Sequence, residues 1–240
     1  MDKNRVSGFV LIDFRKAFDM VDHSILLAKL QAYDIDDNSI MWIRSYLNER
    51  LQCVSLSDVR SETQSIPHGI PQGSILGPLF FIIFIYDLPL ERIMAHMDLY
   101  ADDTTLTYSA DYCDKNQLEK PLNESISNVS TWATADKLPL NEMKTKALLI
   151  TGKRLGKKMA QNDILLQISL DDKPPSRVPS ATLLGLEIDQ NLTFCEHTDK
   201  LCKKRAKRIG ILNTIKCYMS SSRSEIVILY ICKCCVVKSQ

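Results

Sequence analysis

Asp98-Leu-Tyr-Ala-Asp-Asp-Thr-Thr-Leu-Thr-Tyr108 sets an Asp-Asp pair between two arms rich in apolar and β-branched residues. Both arms can be strands, and the pattern is that of a hairpin with acids at its tip. Upstream, Gly8-Phe-Val-Leu-Ile-Asp-Phe14 is a short apolar run that reads as a buried strand ending near Asp13. Adjacent strands of one sheet would bring Asp13, Asp102 and Asp103 together. Converging carboxylates suit hard cations such as Mg²⁺, which take oxygen ligands and leave their other positions to water and substrate phosphates. Phosphoryl transfer to a sugar hydroxyl needs two such ions roughly 4 Å apart. Each piece alone is ordinary, since an Asp at a strand end is commonly a cap and an Asp-Asp tip is commonly a solvated turn.

Outward from these stretches the chain reads as a mixed α and β protein. Ser24–Leu30 and Ile40–Leu47 have helical character, the second with Asp37, Asn38 or Ser39 as its cap. Pro67, Gly69, Pro71, Gly73, Gly77 and Pro78 punctuate the chain before a strongly apolar helix over about Leu79–Asp87. Leu122, Ile126, Val129 and Ala133 recur at helical spacing, so 117–136 is predicted to be an amphipathic helix despite Pro121 near its start. Ala147–Thr151, Ile164–Leu170 and Thr182–Ile188 are candidate strands, with a soft boundary near 155–162. From Thr198, Cys202, Ala206, Ile209 and Leu212 share one helical face, and Lys203, Lys204, Arg205, Lys207 and Arg208 crowd the remainder.

Composition narrows the class. The chain has 240 residues, 45% of them hydrophobic, enough for a sizeable core. Its net charge of +1 hides an acidic stretch over 1–140 and a basic one over 141–240. The first suits bound cations and the second a polyanion such as nucleic acid. Eight cysteines without regular spacing, and no basic-then-apolar leader, point to reduced thiols in an intracellular protein, cytoplasmic or nuclear rather than secreted. Cys232, Cys234 and Cys235 are too crowded for a four-ligand structural zinc. The longest apolar run, Leu79–Tyr86, is far short of the roughly 20 residues that span a bilayer.

The order of the motifs resembles the reverse transcriptases, most closely those of non-LTR retrotransposons. Leu11-Ile-Asp-Phe-Arg-Lys-Ala-Phe-Asp19 with Val21-Asp-His23 is similar to the family's first palm motif. Gly69-Ile-Pro-Gln-Gly-Ser-Ile-Leu-Gly-Pro78 resembles the second, and Tyr100-Ala-Asp-Asp103 the third. Trp132, Leu140-Asn141 and Lys144-Thr145-Lys146 look like the fourth. Looser likeness continues through Leu184-Gly185, Asp189, Leu192-Thr193-Phe194 and His197.

The resemblance implies an α+β polymerase palm over 1–155, with an antiparallel sheet and helices, and a palm–thumb connection with part of a thumb over 156–240. It makes Asp13 and Asp102 the main ligands of two Mg²⁺ ions, with Asp103 beside them in a lesser role. Phe18 stands where the family places the bulky side chain that clashes with a ribose 2′-hydroxyl. Gln72 and Gly73 correspond to contacts with template and incoming nucleotide, and Lys144 to the lysine that assists the departing pyrophosphate. Lys203, Lys204, Arg205, Lys207 and Arg208 would track phosphates of a template–primer duplex. The implied function is RNA-directed DNA synthesis from deoxynucleoside triphosphates on an RNA template with a DNA primer. A second reading is a folded relic that binds nucleic acid and makes no DNA. Fingers precede the first motif in the family and none is seen here, so this stretch alone is expected to make little DNA. Tyr86 stands where relatives commonly have Asn.

Overall fold

The computed structural model describes residues 5–111, 114–152, 155–156, 167–170 and 174–216. Its contacts divide the chain into two compact units, Met1–Ala181 with Gln190–Leu192, and Thr182–Asp189 with Thr193–Gln240.

The first unit is built on strand β1 (Arg5–Ile12), whose β-branched and aliphatic residues suit a strand hydrogen-bonded on both sides. It pairs antiparallel with β7 (Asp103–Asp111) on one edge and β8 (Lys146–Ile150) on the other. Outside β7 lies β6 (His96–Tyr100), and outside β8 the short β9 (Ser176–Arg177), giving the order β6-β7-β1-β8-β9. The expected antiparallel sheet is present, and among the described strands of this sheet the β8–β9 pair at its edge alone runs parallel. Val6, Val10 and Ile12 alternate inward and are buried, so one face of β1 meets the helices and the other carries Ser7, Phe9 and Leu11.

Helices α1 (His23–Ala32), α2 (Asp37–Leu47), α3 (Gly77–Ile85) and α4 (Lys115–Ala135) contribute Leu26, Leu30, Leu47, Phe81, Phe84, Leu122 and Val129 to a single core with those strand residues. Helix α4 lies so close to β1 that a Cβ at Gly8 would run into Leu122. Pro121 sits well inside α4, not at its start, because the helix begins at Lys115. Burial of Leu118, Leu122, Ile126, Val129 and Ala133 on one face holds the helix together across it.

Several local expectations need correction. The cap of α2 is Asp36, one residue before the expected trio, and its carboxylate accepts from the Ser39 amide at 3.0 Å and hydroxyl at 2.6 Å. Residues 51–65, with no strand expected, form two short ladders: β2 (Leu51–Gln52) with β5 (Gln64–Ser65), and β3 (Ser55–Leu56) with β4 (Val59–Arg60). Thr182–Ile188 is not one strand but the hairpin of β10 (Ser180–Leu183) and β11 (Leu186–Asp189). Leu184 and Gly185, at φ 47° and 83°, both turn left-handed, as a two-residue hairpin loop requires. Most of the expected strand Ile164–Leu170 lies outside the described residues.

In the second unit, Asp189 accepts hydrogen bonds from the Thr193 amide (3.1 Å), the Thr193 hydroxyl (3.0 Å) and the Phe194 amide (2.7 Å). It thereby shapes the entry to helix α5 (Cys195–Lys216). Lys200 pairs with the buried Glu187 at 2.8 Å, and His197 Nδ1 accepts from the Glu187 amide at 3.3 Å.

Behind the sheet of the first unit the Lys29 ammonium is 11% exposed. It donates to Asp87 (2.7 Å), to Asp136 and to the Phe84 carbonyl (2.7 Å), and lies 4.7 Å and 4.9 Å from the ring centres of Phe84 and Trp132. Burial pushes the Asp136 carboxyl above its usual range, with Lys29 pulling the other way. Removing one member of such a cluster leaves buried charge uncompensated. We expect Lys29→Ala to lower unfolding free energy in urea by about 3 kcal/mol. Adding Asp136→Asn to Lys29→Ala should recover part of that loss.

Candidate active site

The ladder between β1 and β7 ends with Ile12 opposite Thr104, and one step further along the same register Asp13 falls opposite Asp103. Side-chain alternation sets both acids on the face turned away from the helices, the face of Leu11 and Thr105. Asp102 sits in the two-residue turn Ala101-Asp102 that joins β6 to β7, closed by the Tyr100–Asp103 pair. Ala101 carries the turn at φ 53°, a left-handed conformation that costs a non-glycine residue about 1 kcal/mol. Three carboxylates therefore gather at one end of the sheet, from a strand end and the neighbouring hairpin.

Backbone contacts fix Asp13 from the side of the fourth motif. Its carbonyl accepts from the Asn141 amide at 2.7 Å, its amide donates to the Thr145 hydroxyl at 3.3 Å, and Phe14 bridges Leu140. One oxygen of the Asp13 carboxylate, Oδ2, is buried and accepts no hydrogen bond. The Lys144 ammonium lies 4.0 Å from that oxygen on a side chain 71% exposed, too long for a hydrogen bond. Burial, then the charges of Asp102 and Asp13, push the Asp103 carboxyl above its ordinary range. Excess negative charge and an unsatisfied carboxylate oxygen fit a hard cation, which would satisfy both. As placed, no group of three or more His, Cys, Asp or Glu side chains among the described residues could hold a metal ion, so the three carboxylates are neighbours without forming a closed ligand set.

A second cluster adjoins the first along the chain. After β1, a turn of 3₁₀ helix (Ala17–Asp19) carries Phe18, which is half-buried and stacks on Phe81 with ring centres 4.4 Å apart. The Gly69 amide donates to Val21 and the Ile70 amide to Phe18, both at 2.8 Å, while His23 Nε2 lies 2.8 Å from the Gly69 carbonyl. Gly69 has φ 87°, and a Cβ there would strike the backbone of Asp19. Gln72 Nε2 donates to Asp19 at 2.8 Å. Gly73, at φ 80°, faces open space on its side-chain side. The fold thus zips together the first and second motifs. It adds Asp19, Asn141 and Thr145, which the sequence offered only as letters within motifs.

The reverse transcriptase (RNA-dependent DNA polymerase) family matches residues 1–188. The chain belongs to that family. It is 29% identical over 235 residues to a probable RNA-directed DNA polymerase from transposon BS of Drosophila melanogaster, covering 91% of this chain and 24% of that protein. It is 27% identical over 205 residues to the RNA-directed DNA polymerase from the mobile element jockey of the same species, covering 82% and 21%. These relatives are non-LTR retrotransposon polymerases, and the chain spans about a quarter of their length. A solved Candida albicans telomerase, in complex with a fragment of telomeric RNA, aligns with TM-score 0.50 at 13% identity, over 78% of this chain and 30% of that one. That likeness is one of fold, and it agrees with an α+β polymerase palm. Reverse transcriptases generally use divalent metals. No helix among the described residues is long and apolar enough to cross a membrane.

Lys203, Lys204, Arg205, Lys207 and Arg208 all lie on α5 in the second unit, the first four exposed. Cys202, Ala206 and Ile209 on the same helix are exposed too. The side chain of Leu212 lies outside the described residues.

The raised Asp103 carboxyl fixes a sign. A carboxyl whose folded pKa exceeds its unfolded one stabilises the fold at low pH, and that stability is lost as pH rises through the folded value. Without divalent metal, Asp103→Asn and the parent should melt together near pH 3, with the variant melting higher by pH 7. Thermal melts in EDTA across that range check this, and Mg²⁺ should shrink the difference.

Proposed function

We propose that the chain forms the polymerising core of an RNA-directed DNA polymerase, joining deoxynucleotides to the 3′-hydroxyl of a DNA primer on an RNA template. The observation that supports this best is the gathering of Asp13, Asp102 and Asp103 at one end of the sheet, with a carboxylate oxygen of Asp13 left unsatisfied. Asp13 and Asp102 would hold two Mg²⁺ ions, and Asp103 would add charge. When bound, such ions activate the attacking hydroxyl and stabilise the charge on the leaving phosphates.

The chain's own residues position and select. Asp13 is delivered by a backbone clamped at both its amide and its carbonyl, so its carboxylate needs no reorganisation before it acts. Phe18, its ring fixed against Phe81, would press on the sugar's 2′ position and favour deoxynucleotides. Gln72, oriented by Asp19, and Gly73, with nothing of the chain in front of it, would meet template and incoming nucleotide. Lys144, exposed on its long stem, would bring positive charge or a proton to the departing pyrophosphate. We assign 1–155 to the palm and 156–240 to the connection and part of the thumb, with the basic residues of α5 tracking duplex phosphates.

Two measurements test this reading. Fe²⁺ in place of Mg²⁺, with peroxide, should cut the backbone near residues 13 and 102, and Asp13→Ala should abolish the cuts. In extension of a DNA primer on an RNA template by the chain joined to a fingers segment, Asp102→Ala should reduce incorporation on the order of 10³-fold. Incorporation untouched by both substitutions overturns the assignment. For α5, replacing Lys203, Lys204, Arg205, Lys207 and Arg208 by Gln should weaken hybrid binding and flatten its salt dependence, by roughly one unit of slope for each phosphate that the cations no longer neutralise.

A further inference from the structure

Helix α3 is apolar on every side, and the stretch Gly77–Tyr86 contains no charged residue. A helix of that kind is normally enclosed all round. Phe80, Phe81, Phe84 and Ile85 are buried, but Leu79, Ile82 and Tyr86 on the opposite face are 50%, 51% and 63% exposed. Aromatic contacts extend this face onto the two neighbouring helices. Towards α2, Tyr46 packs on Phe80 with ring centres 6.1 Å apart, and Trp42, 58% exposed, stacks on Tyr46 at 5.8 Å. The half-buried Ile83, one turn from both Leu79 and Phe80, continues the apolar surface between them. Towards α1, Tyr33 meets Tyr86 edge-on at 6.0 Å.

We infer that this face is where two copies of the chain pair, with their α3 helices antiparallel across a two-fold axis. The inference is independent of the polymerising reading, and it gives Tyr86 a role that reading leaves out. Area sets the scale: the exposed parts of Tyr33, Trp42, Leu79, Ile82 and Tyr86 amount to roughly 600 Å², at the top of the range for apolar patches on monomers. Two copies would bury about 1,200 Å², where stable specific interfaces begin. Chemistry sets the kind of partner. The face carries no charge, and its polar groups are the phenol hydroxyls and the Trp42 ring nitrogen, so it offers nothing to the phosphates of a nucleic acid. It matches an apolar helix of about two turns, and the chain carries one in α3 itself. Spacing sets the arrangement: Leu79, Ile82 and Tyr86 step by three and four residues, the seam along which helices pair. An antiparallel two-fold brings Leu79 of one copy opposite Tyr86 of the other, large against small at both ends, and sets both Ile82 side chains near the axis.

Sedimentation velocity of the 240-residue chain, at concentrations up to about 100 μM, tests this. The parent should pass from monomer to dimer with a dissociation constant in the micromolar range, and the mass should stop there because a two-fold contact closes. Ile82→Lys, which sets two like charges at the axis, should weaken pairing on the order of 100-fold. That side chain is half exposed in the monomer, so circular dichroism melts of the variant should match the parent's. Leu79→Glu and Tyr86→Lys should each weaken pairing, and the double variant should recover most of it, because each Glu then faces a Lys of the other copy. The two positions are too far apart along one helix for a contact within it to give that recovery. This charge-swap set carries the test if Ile82→Lys does not fold. A parent that stays monomeric overturns the inference and leaves the face to another partner, and so does a mass that grows past the dimer. Pairing undiminished in Ile82→Lys overturns it by placing the contact elsewhere, and absence of recovery in the double variant overturns the antiparallel two-fold.

Discussion

Slip β7 by one residue against β1, and Asp103 would turn towards the helices while Asp13 stayed on the open face. The same slip would swing Leu106 and Ala110 out of the core, because strand side chains alternate with a period of two. Burial of one face thus enforces the alignment of acids on the other. Gly8 takes part in that enforcement: its missing side chain lets α4 press Leu122 against β1 and lock the buried face. The Lys29 cluster acts from behind, tying α1 to the chain just beyond α3 and α4 through Asp87 and Asp136. Asp22 adds a further tie. Burial pushes its carboxyl up, but the Lys137 ammonium, the Ser24 hydroxyl and the Ile25 and Ser24 amides hold it well below the usual range. One residue thereby caps α1 and binds the turn after α4.

Much of this was legible in the sequence where the signal is local. The apolar run around Val10, the acidic hairpin tip and the spacing of Leu122, Ile126 and Val129 each report their own surroundings, and each element stands where its pattern predicts. The second-motif turn was legible because its glycines are needed where they are, as Gly69 shows against the Asp19 backbone. What escaped is long-range or marginal. Nothing around Lys29 announces that it meets Asp87 and Asp136, which lie 58 and 107 residues away. The ladders within 51–65 have exposed side chains and no alternation to read, so only backbone pairing defines them. The Leu184-Gly185 turn escaped because Leu seldom adopts a left-handed φ, and one apolar stretch passed for one strand.

The candidate site divides in the same way. Asp13, Asp102 and Asp103 were read from a strand end and a hairpin tip as well as from motif likeness, Phe18, Gln72 and Gly73 from likeness, and the two clusters follow from the β1–β7 register and the hydrogen bonds of the 69–72 segment. The partners that orient them, Asp19 for Gln72 and Phe81 for Phe18, become visible only once the chain is folded.

The way Asp13 is held separates two demands that proteins often place on one residue. Its amide and carbonyl are bound by Thr145 and Asn141, while its carboxylate accepts no hydrogen bond from the described chain. Folding therefore recognises the position through its backbone, and among the described residues the acid is met only by the exposed Lys144 ammonium at 4.0 Å. A copy of this gene in which Asp13 had become Asn would keep the backbone contacts that hold the position, and would lose the metal ligand proposed there. No chaperone or protease that surveys shape would single it out. If the proposed role holds, purifying pressure on this residue comes through the reaction, and where that pressure lapses, the protein would fall silent long before it fell apart.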